Sequence, residues 1–407
     1  MNRKLSAWLV ASMWFAYFLN YCDRQAVFAM FPSLKADLDM SDAQLGYVGS
    51  VFLWVYAFGC PIAGQLGDVF SKRLLVVLSL IVWSVVTIGT GLVTSAAMLL
   101  AMRAAMGVSE SLFMSSAVAL TANAYEPAKR SRAVSMLMTG QIAGIVAGGW
   151  FGGWMADHGQ WRGAFFALGA IGVLYAMPYF AFLRRVDEPK PERNNTTPGF
   201  AISDLIRVPM FVLQCVVFPV FVFGLWLLYG WLPAFLHDKF ALTQADAAFN
   251  ATVFVQTATF IGVITGGVLA DKLHARIPAA RFWLLVAGLL LSAPCIHVLG
   301  SAETLTTTRI AATLFGLSSG LFIGNIFPSA FDVVPASSRA TAVGLLNFFG
   351  AIMSGFATLF GGWWKQSLGI DRLLTFTAIG YLAAGIAVVM GIKMLLSRDQ
   401  VRAQSFD

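Results

Sequence analysis

Gly64-Gln65-Leu66-Gly67-Asp68 returns 203 positions later as Gly267-Val268-Leu269-Ala270-Asp271. Each copy closes a long apolar run and opens onto basic residues. A second pair has nearly the same offset: Pro-Ala-Lys-Arg-Ser-Arg-Ala at 127–133 is echoed by Pro-Ala-Ser-Ser-Arg-Ala at 335–340. Two motifs displaced by half of a 407-residue chain mark an internal duplication, and in an apolar chain such a duplication is the signature of a carrier built from two similar bundles.

The runs around these motifs are long enough to cross a bilayer, which takes about 20 residues each. They lie at 6–33, 43–66, 74–94, 97–124, 131–155 and 163–183, then at 209–236, 246–270, 281–300, 307–331, 338–363 and 373–396. The polar stretch from Arg184 to Arg207 divides them. The reading is therefore 1–183 as an N-terminal six-helix bundle, 184–207 as a cytoplasmic linker and 208–407 as a C-terminal six-helix bundle. Composition agrees: 58% of the residues are hydrophobic and 12% charged, against about 25% charged in soluble domains.

Net charge is +7. In a soluble chain that would suggest a nucleic-acid partner, but here the basic residues sit in short loops, where they report topology. Of 27 Lys and Arg, Arg24 and Arg103 lie within spans. Lys35, Arg162, Lys239, Arg309, Lys365 and Arg372 lie in loops of one side, and the remaining 19 on the other. The asymmetry places both termini in the cytoplasm, in a multi-pass protein of the cell inner membrane. No cleavable leader is evident before the first run.

Only four charged residues fall deep inside spans: Asp23, Arg24, Arg103 and Glu110. A charge at the bilayer centre costs about 2.5–3.5 kcal/mol on insertion scales, and its default reading is functional. Asp23 and Arg24 are adjacent, so they point about 100° apart around a helix and face different neighbours. Tyr21 shares the Arg24 face at i, i+3. Arg103 and Glu110 are two turns apart on one face. Two acids and two bases make a formally neutral set, and a chain of charges between spans one and four is geometrically possible. The plain structural alternative is a static ion-pair network that fixes helix packing.

The duplicated motif, with Lys72 and Arg73 after its first copy, resembles the signature of the major facilitator superfamily; Val69 and Ser71 depart from it. The resemblance implies an all-α integral membrane fold of twelve transmembrane helices in two pseudo-symmetric six-helix bundles. Two branches share the element Asn20-Tyr21-Cys22-Asp23-Arg24 and the Arg103/Glu110 pair. Tyr56 within Phe-Leu-Trp-Val-Tyr-Ala-Phe (52–58), Gln141, and Trp231-Leu232-Pro233 are similar to the anion:cation symporters, which include sugar-acid permeases and sialin-like carriers. His158-Gly159-Gln160-Trp161-Arg162 and Asp187-Glu188-Pro189 are similar to the spinster-like transporters of lysolipids and other amphiphiles.

The first resemblance implies proton-coupled symport of a small organic anion such as a sugar acid. Arg24 would bind the substrate carboxylate, since a guanidinium offers a planar, permanently charged fork. Asp23, Glu110 and Arg103 would couple the proton. Tyr21, Tyr56, Gln141, Tyr229 (with Trp226 beside it), Asn325, Ser329 and Asn347 would complete the substrate contacts; the alternative for these neutral residues is interhelical hydrogen bonding. Asp68, Lys72, Arg73, Arg132 and Asp271 resemble the family's gating network, against the alternative of a positive-inside cluster. Gly144, Gly148 and Gly152, four apart, read as a close helix contact.

No nucleotide loop, zinc-type spacing or Cys-x-x-Cys occurs. An enzyme, a cofactor, a bound metal and a nucleic-acid partner are therefore not expected. The expected partners are the anion, the proton and the lipid bilayer, and the expected state is a monomer. Cys22, Cys60, Cys215 and Cys295 read as apolar core residues.

Overall fold

A computed structural model describes residues 3–125, 127–186, 205–274, 276–335 and 338–404. Every regular element among the described residues is helical. They are α1 (Arg3–Ala29), α2 (Phe31–Asp37), α3 (Asp42–Val69), α4 (Lys72–Gly91), α5 (Ala96–Asn123), α6 (Pro127–Asp157) and α7 (Trp161–Leu183), followed by α8 (Pro209–Phe240), α9 (Gln244–His274), α10 (Ala280–Ser301), α11 (Leu305–Phe331), α12 (Arg339–Trp364), α13 (Ile370–Met394) and α14 (Leu396–Gln404).

Eleven of these, α3 to α13, are long and apolar enough to cross a membrane. The first, α1, has 27 residues, about 40 Å of rise, but Trp8, Trp14, Tyr17, Asn20 and Tyr21 dilute its apolar run. The expected first span, 6–33, is too long at its far end. The helix stops at Ala29, and Pro32 occupies the first turn of the separate α2, where a missing N–H costs nothing.

Helix ends follow local chemistry. Ser41 and Gln44 form a reciprocal capping box at α3, with Gln44 N to Ser41 Oγ at 3.2 Å and Ser41 N to Gln44 Oε1 at 2.8 Å. Thr304 Oγ1 caps α11 by accepting from Thr307 N at 3.1 Å. Between α6 and α7 the chain turns through Gly159 at φ +70°, a left-handed conformation that favours glycine. Lipid-facing and inward residues separate on single helices. On α7, Leu174, Met177 and Phe180 are exposed while Gly172, Ala176, Tyr179 and Leu183 are buried, the i, i+3 pattern of a helix with one packed face.

The chain resolves into two units. One comprises Met1–Asn194 with Tyr229–Thr252, and the other Asn195–Leu228 with Val253–Asp407. In the first unit, Leu9, Met13, Tyr17, Trp83, Phe113, Leu137 and Tyr179 build a core shared by α1, α4, α5, α6 and α7. The tightest contact is α1 against α6, and it runs along the expected glycine stripe. A Cβ on Gly144 would stand 2.5 Å from Phe18 O and 2.7 Å from the Tyr21 Cβ, and one on Gly152 would stand 2.8 Å from the Ala26 Cα. Only a hydrogen at these positions lets the two backbones touch.

The same unit takes in the end of α8 and the start of α9. Asp157, the last residue of α6, accepts from Gln244 N at 2.8 Å and Ala245 N at 2.9 Å, one with each oxygen. This carboxylate thus satisfies two of the unpaired N–H groups that open α9 and meets the positive end of its dipole. The Gln244 amide exchanges hydrogen bonds with Ser33, and Gln25 Nε2 donates to Tyr229 O at 3.1 Å.

In the second unit, Phe221 stacks on Phe322 at 4.2 Å, and Tyr381 Oη donates to Phe221 O at 2.6 Å. Asp399 of α14 accepts from Met210 N at 2.8 Å, tying the last helix to the start of α8.

Candidate functional site

The four intramembrane charges gather in the first unit, and none is more than 6% exposed. Arg24 Nε donates to Glu110 Oε2 at 2.5 Å, joining α1 to α5. Adjacency on α1 sends Asp23 elsewhere, as the helical period requires: its carboxylate lies beside the Thr87 hydroxyl of α4.

The Arg24 guanidinium is enclosed by aromatic rings. Its Cζ lies 4.8 Å from the Tyr21 centroid, 4.9 Å from Phe52 and 4.6 Å from Tyr56. Rings at this distance attract a desolvated cation through their quadrupole, so the charge is held in a low-dielectric cage with one anionic partner. Phe52 has a second guanidinium on it, Arg103, at 4.5 Å. Arg103 and Glu110 share a face as expected, yet Arg103 spends its donors otherwise, with Nε to Val48 O at 3.1 Å and Nη1 to Met106 Sδ at 3.1 Å. It acts on Glu110 through space.

Among the described residues, Asp23 Oδ1, Glu110 Oε1 and Arg103 Nη2 have no side-chain or backbone hydrogen-bond partner.

The neutral candidates divide. Gln141 Oε1 accepts from Tyr17 Oη at 3.3 Å, and the Tyr17 ring meets Tyr21 edge-on at 5.0 Å, so Gln141 of α6 is linked through two tyrosines to the Arg24 cage. Tyr229 is buried, with its carbonyl taken by Gln25, while Trp226 is half-buried. In the second unit, Ser329 is fully buried and accepts from Gln214 Nε2 at 2.8 Å, which is the interhelical hydrogen bond weighed above as the alternative to substrate contact. Asn325 Nδ2 donates to Leu321 O within its own helix at 2.9 Å. Asn347, on α12, is exposed.

Of the gating candidates, Arg73 Nη1 donates to Val186 O at 2.7 Å, Lys72 is half-buried and Asp271 is exposed. The side chains of Asp68 and Arg132 lie outside the described residues. Among the described residues no cluster of His, Cys, Asp and Glu could hold a metal ion.

Three contributors were not singled out from the sequence: Phe52, Tyr17 and Gln25. Two had a visible signal. Phe52 precedes Tyr56 by four residues and Tyr17 precedes Tyr21 by four, so each shares a face with a named residue. Gln25 had none, because its partner is a backbone carbonyl.

A helical chain with duplicated halves, membrane-length helices and a buried charge cluster has the architecture of an integral membrane transporter. The chain belongs to the Major Facilitator Superfamily, whose model matches residues 13–358; it is a multi-pass membrane transporter and not an enzyme. It is similar to the hexuronate transporter of Bacillus subtilis (strain 168), with 23% identity over 95% of this chain and 93% of that one. It is also similar to protein spinster homolog 3 of Danio rerio, with 26% identity over 79% of this chain and 68% of that one. A crystal structure of a bacterial homolog to the human lysosomal transporter spinster shares the fold, with a TM-score of 0.79, 20% identity and 99% of both chains covered.

Proposed function

We propose that this protein is a proton-coupled symporter of a small organic anion, a sugar acid being the leading class, working by alternating access in the cell inner membrane. In this reading it is a monomer of two six-helix bundles, 1–183 and 208–407, with both termini and the 184–207 linker in the cytoplasm. The observation that carries the reading is the Arg24–Glu110 pair inside its aromatic cage.

A guanidinium is the preferred group for a carboxylate. Here it already holds a carboxylate of the protein. A substrate anion arriving at Arg24 would put two like charges on one cation in a low-dielectric place. A proton on Glu110 removes that repulsion, so anion and proton enter together. Asp23, on the neighbouring face of α1, and Arg103, across Phe52, bias the same exchange through space. Tyr21, Tyr56 and Gln141 offer hydroxyl and amide contacts suited to a polyhydroxy acid. Similarity to a hexuronate transporter supports this substrate class.

The test is uptake into proteoliposomes under an imposed pH gradient, with hexonates, hexuronates, dicarboxylates and lysolipids. The expected result is faster entry of a sugar acid when the proton gradient points inward. Transport of a lysolipid with indifference to every anion would overturn the proposal and favour the amphiphile reading.

A further inference from the structure

A second basic feature of the first unit lies far from the charge cluster, where the start of α1 meets the end of α7. The two helices are bound side by side. Tyr175 Oη donates to Ser12 O at 2.8 Å, Tyr179 Oη approaches Met13 Sδ at 2.8 Å, and Tyr175 meets Phe15 edge-on at 4.7 Å. Beyond this seam the helix ends border an open cleft of about 570 Å³ lined by Lys4, Leu5, Trp8, Phe182 and Arg185.

The composition of the cleft is specific. It has two cations and three apolar side chains, and Trp8 is 68% exposed. Trp at the end of a spanning helix belongs at headgroup depth, and Lys and Arg at the same end carry their charge to the interface while their stems stay in apolar surroundings. Lys4 is 20 residues from Arg24, about 30 Å along the helix, so the cleft is separate from the proposed anion site. Arg3 and Arg184 stand beside it in sequence.

A ligand that matches needs a phosphate-like anion joined to an apolar tail. Free phosphate leaves Leu5, Trp8 and Phe182 without a role, and a zwitterionic lipid brings its own cation to the phosphate. We propose that this cleft binds the headgroup of an anionic phospholipid, with the phosphate between Lys4 and Arg185 and the upper acyl chain against Leu5, Trp8 and Phe182. The chemistry is that of basic pockets at the ends of transmembrane helices.

The experiment is native mass spectrometry of the full chain, purified and exchanged into mixed micelles containing phosphatidylglycerol, phosphatidylcholine or inorganic phosphate. Wild type is expected to retain one more phosphatidylglycerol than the Lys4→Gln/Arg185→Gln variant, with retention by the variant on the order of 30-fold weaker. Trp8→Ala should weaken it while leaving both charges in place. The exposed pair Lys272→Gln/Arg276→Gln, a charge-matched change in the second unit, should leave it unaltered. Equal retention by wild type and the Lys4/Arg185 variant would overturn the proposal. So would equal retention of phosphatidylcholine, or a loss matched by the Lys272/Arg276 control. Displacement by inorganic phosphate alone would reduce the cleft to an anion site and overturn its assignment to lipid. The readout contains no transport step, so it stands or falls apart from the symport reading.

Discussion

Glu110→Gln isolates the coupling step. In the wild type a substrate carboxylate on Arg24 would sit about 5–6 Å from the Glu110 carboxylate, two anions flanking one guanidinium. At an effective dielectric constant of about 20 that repulsion is about 3 kcal/mol, or about two orders of magnitude in affinity. Protonating Glu110 removes it, and so does the glutamine, at every pH. The variant should therefore bind sugar acid with an affinity independent of pH, about 100-fold tighter than wild type when the wild-type Glu110 is ionised. It should still exchange labelled for unlabelled substrate. What it should lose is accumulation. One proton per monovalent anion across one pH unit supplies about 1.4 kcal/mol, a tenfold gradient of substrate, and the variant should equilibrate at a ratio of about one. The assay is counterflow and pH-driven uptake in the same proteoliposomes, with thermal unfolding as a control because Arg24 has lost its buried counter-charge. Tenfold accumulation per pH unit by Glu110→Gln would refute the assignment of the proton to this carboxylate.

Arg24→Lys keeps the charge but loses the planar fork that stacks against three rings; uptake should fall to background while the protein purifies as wild type. Gly144→Ala places a Cβ 2.5 Å from Phe18 O, so α1 and α6 must separate at an overpacking cost of about 1–3 kcal/mol, read as a lower melting temperature and weaker substrate binding through the displaced Tyr21. Asp157→Ala leaves Gln244 N and Ala245 N without their acceptor and should lower stability by about 0.5–2 kcal/mol, measured by thermal unfolding in detergent. Asp332, just past the end of α11, is held above the usual carboxylate range by burial, against the opposing pull of its ion pair with Arg281 at 2.5 Å. Its folded form therefore binds the proton more tightly than the unfolded chain does, and its contribution to stability declines as pH rises from about 3.9 through the raised value. Asp332→Asn should flatten that part of the pH–stability curve.

Much of the architecture was legible because its causes are local or periodic. Twelve apolar runs, a repeat offset by half the chain and basic loops follow from how a bilayer sorts side chains by polarity, and that sorting acts on sequence directly. The glycine stripe at 144, 148 and 152 was legible for the same reason, since small residues four apart mark one face of one helix. Four charges in apolar runs marked a candidate site without saying how they are wired. Helical period predicted that Asp23 and Arg24 would diverge, and they do, toward Thr87 and Glu110.

The wiring itself was a tertiary outcome. Spacing on α5 allowed Glu110 to be paired with Arg103 as readily as with Arg24; the approach of α1 to α5 gave it to Arg24, and Arg103 turned to the Val48 carbonyl and the Phe52 ring. Ser329 looked equivalent to Asn325 along one helix until α8 brought Gln214 against it. The carboxylate of Asp157 carries no signal in sequence, because its partners are backbone N–H groups of a helix that starts 87 residues later. Amino-acid order determined that this chain lives in a membrane, that it is built as a duplicated helical carrier, and which charges it buries. Which partner each buried charge meets depended on helix-to-helix contacts between segments remote in sequence, and those only the folded chain decides.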